Sequence, residues 1–117
     1  MNYRVSKSQA FKKEFKRLAK KYKSLASDLD KLLDSLFEQP LQGVELMQGI
    51  RKVRMPIASK GKGKSGGARI IYVQLAVDDD NGVIYLVYIY DKSEIENVSD
   101  AFILDVLSHA DPGDIEP

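Results

Sequence analysis

Lys52 and Arg54 alternate in the stretch IRKVRMPIAS, and Lys60, Lys62 and Lys64 alternate in SKGKGKSGGARIIY. Arg69 follows the glycine pair of that second stretch, and Lys92 closes YIYDKSE. If the segments flanking the lysine-rich loop are neighbouring antiparallel strands, these cations converge on one surface. Such a surface suits the phosphates of RNA, and Tyr72, Tyr88 or Tyr90 can stack on a base beside it. Lys60, Lys62 and Lys64 read as a cationic, RNA-binding rim. Arg69 stands where the loop ends and a rigid strand can aim a charge.

Other chemistries fall away motif by motif. Gly63-Lys64-Ser65 imitates the end of a phosphate-binding loop, but that pattern needs a glycine where Ala58 stands and a helix where ARIIYVQL reads as strand. DDDNG reads as a solvated turn, because a calcium loop requires further ligands at alternating positions. Asn97-Val98-Ser99 matches a glycosylation sequon, yet no secretory leader precedes it and Ser99 serves more simply as a helix cap. The chain has no cysteine, and its one histidine, His109, falls near the end of a helix, which leaves thiol chemistry and a Ser-His triad without their residues. No cofactor or metal is implied.

The elements that must position the cations follow from periodicity. NYRVS is a short strand, and Ser6 with Gln9 three residues on has the spacing of a capping box that opens a helix. Phe11, Phe15, Leu18, Tyr22 and Leu25 form one buried stripe, opposite a face of Lys12, Lys13, Lys16, Arg17, Lys20, Lys21 and Lys23. A second helix starts near Ser24 or Ser27, places Asp28 and Asp30 where the helix dipole favours acids, turns Leu29, Leu32, Leu33, Leu36 and Phe37 inward, and stops at Pro40. The short gap between the helices predicts an antiparallel pair. After a loop through Gly43 and Gly49, IRKVRMPIAS puts Val53, Met55 and Ile57 on one side and Lys52 and Arg54 on the other. ARIIYVQLAV and VIYLVYIYD form a hairpin turning at Asn81-Gly82, apolar on both faces and therefore covered on both. Ser99 caps a last helix, DAFILDVLSHA, with Phe102, Ile103, Val106 and Leu107.

The predicted fold is α+β: two N-terminal antiparallel helices packed on a small, mainly antiparallel sheet, with a short C-terminal helix. Its 117 residues suit one domain, taken as 1–110, with 111–117 as a flexible tail. No window is apolar enough for a membrane span, so a cytoplasmic location is expected and no membrane partner. The net charge of +1 hides an asymmetry, since residues 1–74 hold 17 Lys and Arg against 6 Asp and Glu, and residues 75–117 hold 1 against 11. Either the basic part attracts a polyanion or the two parts neutralise each other in the fold.

Over residues 3 to 108, IRKVRMPI, GKGKSGGARIIY and YLVYIYDKSEIENVS in this order of elements resemble the RelE/ParE superfamily of type II toxin-antitoxin toxins, nearest its RelE and HigB-like members. The resemblance implies a toxin neutralised by a cognate antitoxin in a toxin-antitoxin hetero-oligomer. It also implies a metal-independent endoribonuclease, or mRNA interferase, that cuts mRNA on the ribosome and inhibits translation. Alternatives within the resemblance are a ParE-like gyrase inhibitor without nuclease activity and an inactive interaction domain. By position, the strand Lys/Arg pair maps to Lys52 and Arg54, the strand-opening arginine to Arg69, and the basic residue after the last strand to Lys92. Where the RelE pattern has a catalytic tyrosine, this chain has Asn97 and Val98; Tyr90 either substitutes for it or packs in the sheet. Cleavage by the RNA's own 2′-hydroxyl needs a base, cations for the charge growing on phosphorus, and an acid for the departing oxygen. On this scheme Arg69 clamps the phosphate, Lys52 or Arg54 assists, and Lys92 or a loop lysine transfers protons.

Overall fold

A computed structural model describes residues 1–60 and 66–110. The expectations for Lys62, Lys64 and the tail at 111–117 lie outside the described residues. The elements are β1 (Asn2–Lys7), α1 (Gln9–Lys21), α2 (Leu25–Glu38), β2 (Val44–Met47), β3 (Ile50–Met55), a short 3-10 turn (Ala58–Lys60), β4 (Ala68–Ala76), β5 (Asn81–Asp91) and α3 (Asp100–Ser108). The strands form one five-stranded sheet in the order β1-β5-β4-β3-β2. Only the β1–β5 pairing is parallel. The fold is α+β, as the sequence predicts.

Several boundaries differ from the sequence reading. Ser6 does not open α1: it pairs with Tyr85 within β1, and Ser8 is the cap, accepting from the Phe11 amide at 2.9 Å. The pull of the parallel pairing extends β1 through Lys7 and delays the helix. Tyr22 ends α1 and Leu25 begins α2, so the apolar stripe is shared by two helices. The segment read as a loop through Gly43 and Gly49 contains an edge strand, β2, which pairs with β3 across a turn at Gln48-Gly49. The acidic turn lies before Asn81-Gly82. Asp78 accepts from the amides of Asp80 and Asn81, each at 2.9 Å, which leaves Asn81 and Gly82 free to begin β5. Phe37 does not turn inward; it is 37% exposed and stacks on Tyr3 of β1. No described helix is long and apolar enough to cross a membrane.

Both faces of the sheet are covered, for the reason the two-sided apolar strands give. On one face, Phe11, Leu18, Leu25, Leu29 and Leu36 of the helix pair pack on Val53, Met55, Ile70, Tyr72, Ile84, Leu86 and Ile89. On the other, Ile103 of α3 packs with Ile50, Ile71, Val83, Tyr85, Val87 and Tyr90. The register between β4 and β5 shifts at Ile71/Tyr72, so that Ile71 faces Tyr88 while Tyr72 faces Leu86, leaving Val87 as an extra residue. Such a bulge interrupts strict alternation. Val87 and Tyr88 consequently both belong to the α3 face, and every side chain beyond them is reversed relative to a regular strand. The carbonyl of Val87 accepts the Ser8 hydroxyl at 2.5 Å, which ties the cap of α1 to the bulge.

The reversal sends Asp91 into the helix face, where it is fully buried. Its carboxylate accepts from the Tyr22 hydroxyl at 2.5 Å, the Lys60 ammonium at 2.7 Å and the Ser93 hydroxyl at 2.7 Å. Burial alone would raise its pKa, but the donated bonds from Lys60, Tyr22 and Ser93 outweigh it and hold the carboxyl well below the usual range. Nearby, the buried carboxylate of Asp28 accepts the Ser24 hydroxyl at 2.7 Å and the Ala58 amide at 3.2 Å. Two acids thus fasten the start of the loop after β3 to the helix pair.

Asp91→Ala strands the Lys60 ammonium and the Tyr22 hydroxyl, and the expected loss in urea unfolding at neutral pH is about 3 kcal/mol or more. The sign with pH follows from the lowered folded-state pKa. The contribution is complete above the ordinary aspartate value of 3.8 and is lost as pH falls through the folded-state value. The gap in midpoint between wild type and Asp91→Asn should therefore be constant near neutrality and close in acid.

Candidate functional site

The open part of the α3 face carries the predicted cations. Val53 and Met55 of β3, and Ala68 and Ile70 of β4, point to the helix pair, so Lys52, Arg54 and Arg69 point the other way. Register then sets their order. Arg54 faces Arg69, which faces Tyr90, in one row across three strands; Lys52 faces Ile71, which faces Tyr88, in the next. Arg69 enters β4 immediately after Gly67, whose φ of +54° and close approach to the Met55 carbonyl, 2.8 Å from where a Cβ would sit, exclude a side chain. The Arg69 guanidinium donates back to the carbonyls of Gly66 and Ala68, which fixes it at the mouth of the loop.

Two arginines directly opposite each other on adjacent strands repel. Among the described residues, none of Lys52, Arg54, Arg69 and Lys92 has a carboxylate within ion-pair distance, and the ion pairs recorded use other cations. Within the described residues the row is therefore a cationic surface without internal neutralisation. Tyr90 lies at its end with the whole side chain buried, 1% exposed, and its hydroxyl 3.4 Å from Asn97 Oδ1, so of the two readings that the sequence leaves for it the structure has it packed in the sheet. Burial pushes its phenol upward, against a smaller opposing pull from Arg69, so it stays protonated near neutral pH and donates rather than accepts a proton. Asn97 Oδ1 also lies 3.4 Å from Lys52 Nζ. Lys92 donates to the Glu96 carbonyl at 2.7 Å.

The structure thus brings together Lys52, Arg54, Arg69 and Tyr90, with Lys92 at the end of β5. It does not bring Lys60 to them: Lys60 is engaged with Asp91 and Ser93 and lies over the Tyr22 ring, on the helix side. Of the tyrosines proposed for stacking on a base, Tyr72 and Tyr90 are both excluded by full burial, the Tyr72 hydroxyl being bonded to Pro40 and Gln42 beneath the helices. Tyr88 meets Phe102 of α3 edge-on at 4.8 Å. Asn97 is the residue that sequence reasoning did not place in the site. It stands out in the sequence only as a departure from a family pattern, and its contacts with Lys52 and Tyr90 depend on tertiary folding.

Residues 5–96 match the ParE toxin of type II toxin-antitoxin system, parDE, family. The chain belongs to that family. A type II toxin carries with it an antitoxin partner, as the sequence resemblance implies. Among solved structures, the chain is similar to a double arginine-to-alanine mutant of E. coli toxin RelE in the free state. It has 20% identity and a TM-score of 0.54 over 94% of this chain and 95% of that one. At that identity the likeness speaks for a shared fold, and the RelE/ParE superfamily architecture is common to both comparisons.

If the Arg54–Arg69 pairing is repulsive, removing one charge should stabilise this ParE-family chain. Arg54→Gln is expected to gain about 0.5 kcal/mol at low ionic strength. The gain should shrink as salt is added, because exposed charges are screened. Thermal unfolding across a salt series measures both.

Proposed function

We propose that this toxin is a metal-independent endoribonuclease that cuts mRNA on the ribosome, inhibits translation, and is neutralised by its cognate antitoxin. The observation that carries the reading is the unneutralised row of Arg54 and Arg69, flanked by Lys52 and ended by the buried ring of Tyr90. Attack of the RNA's own 2′-oxygen on the adjacent phosphorus forms a 2′,3′-cyclic phosphate as the bond to the 5′-oxygen breaks. The 2′-hydroxyl gives up a proton, the 5′-oxygen takes one, and fixed guanidinium groups stabilise the charge that grows on the phosphorus oxygens more than they stabilise the ground state. Arg69, held at the loop mouth, is the phosphate clamp, and Arg54 beside it is the second cation. Lys52 and Lys92 are amines able to exchange protons, whereas the arginines keep theirs. Tyr90, 1% exposed, lies beneath the row and supports it from within the sheet, so the proton for the departing 5′-oxygen is left to an amine of the open face.

The match to the ParE toxin family favours a second reading, inhibition of DNA gyrase by binding without cutting RNA. The two separate in a cell-free translation reaction read by primer extension, run beside a gyrase supercoiling assay. Discrete mRNA breaks that require ribosomes support the nuclease; intact mRNA with loss of supercoiling overturns it. Within the nuclease reading, Arg69→Ala should reduce cutting roughly 10²-fold or more while the circular dichroism spectrum is retained. A variant that cuts at the wild-type rate would remove Arg69 from the site.

A further inference from the structure

Asn97 bridges two groups of the open face that otherwise come from different strands. Its side-chain oxygen lies 3.4 Å from Lys52 Nζ of β3, 3.4 Å from the Tyr90 hydroxyl of β5, and 3.0 Å from the amide of Val98. We infer that Asn97 is a positioning residue of the RNA-cutting site, setting the spacing between the Lys52 ammonium and the Tyr90 phenol; the role in cutting rests on the nuclease reading above.

The segment that carries Asn97 is held well enough to do this. The amides of Glu94 and Ile95 donate to the Asp91 carbonyl at 2.9 and 3.1 Å, and Lys92 Nζ donates to the Glu96 carbonyl at 2.7 Å. Glu94 is gripped from α1 by both terminal nitrogens of Arg17, at 3.1 and 2.7 Å. Beyond Asn97, Val98 packs into the α3-side core and Ser99 caps α3 through the Phe102 amide. Asn97 therefore sits between two anchors, one on each side, and its amide is presented to the sheet.

The residue type fits the task. An amide oxygen accepts from an ammonium and a phenol without adding a negative charge, so the cationic row stays available to a phosphate. A carboxylate at the same place would accept equally well but pair with Lys52 and compete with the substrate. The two contacts exceed the usual hydrogen-bond range of about 2.7–3.2 Å. Catalytic contacts are often long in a substrate-free protein and tighten in the complex.

The test compares wild type, Asn97→Ala and Asn97→Asp in the full chain. Isotope-edited NMR of the free protein follows the Lys52 side chain and the Tyr90 ring, and primer extension follows mRNA cutting in a translation extract. Asn97→Ala should move the Lys52 and Tyr90 resonances together, leave the amide pattern of the sheet in place, and slow cutting roughly tenfold or more. Asn97→Asp decides between positioning and mere backbone capping. Aspartate keeps the bond to the Val98 amide, but its charge pairs with Lys52 and draws it away from the phosphate. A role limited to that backbone bond predicts wild-type cutting, whereas a place between Lys52 and the substrate predicts a loss together with a larger shift of the Lys52 resonance than alanine gives. Unmoved Lys52 and Tyr90 resonances in Asn97→Ala, or wild-type cutting by Asn97→Asp, overturn the inference. If wild type itself leaves mRNA intact, the nuclease reading fails on that result, and the resonances alone decide whether Asn97 holds Lys52 and Tyr90.

Discussion

The extra residue in β5 decides which way the end of the sheet faces. With strict alternation after Leu86, Tyr90 would point into the helix pair and Asp91 would emerge among the arginines. The bulge at Val87 reverses both. It places a phenol beside Arg69 and a carboxylate beneath Tyr22 and Lys60. A register slip of one residue exchanges the two faces of a strand, so a carboxylate in the arginine row would neutralise it, and a tyrosine in its place would leave Lys60 unpaired. The Ser8 hydroxyl on the Val87 carbonyl makes this arrangement part of the start of α1 as well.

Asp91 then divides the lysines near the loop into two kinds. Lys60, drawn to the buried carboxylate, belongs to the scaffold. Lys52, on the opposite face, has a neutral partner in Asn97. The same short sequence from Asp91 to Ser99 serves both faces: it ends β5, bonds to Arg17 of α1 through Glu94, and delivers Asn97 to the open row. Helix packing and site geometry are thus coupled through this turn.

Much of this was legible in the sequence. Alternation in IRKVRMPIAS correctly divides Val53, Met55 and Ile57 from Lys52 and Arg54, because β3 has one apolar and one charged face. The two-sided apolar character of β4 and β5 correctly implies cover on both faces, and Ser99 is the cap expected of it. Those same two-sided strands hide the bulge, since an apolar residue is acceptable on either face and the pattern carries no phase. The partners of Lys60 could not be read either, because a lysine that alternates with glycines looks solvated until the fold brings it to Asp91. Edge strand β2 escapes the sequence reading because it is only four residues long, Val44–Met47, too short for a period to show.

The near-zero net charge would argue against attraction of a polyanion if charge were mixed over the surface, and the fold keeps it apart. Asp78, Asp79 and Asp80 occupy the turn at the far end of the β4–β5 hairpin from Arg69. The run of β4 from Arg69 to Ala76 spans about 23 Å at an ordinary strand rise. That distance is well beyond the screening length of about 8 Å at physiological salt, so the acidic turn does little to offset the field at the arginine row. Asp78 is moreover committed to its own turn, with its carboxyl held below the usual range by the Asp80 amide and the Asn81 side chain. Among the described residues, the acids after β4 that pair with the basic part are Asp91 and Glu94, and they bind Lys60, Lys21 and Arg17, none of which belongs to the row. Among the described residues, neutralisation is therefore selective: it serves the helix side, and Lys52, Arg54 and Arg69 have no carboxylate within ion-pair distance.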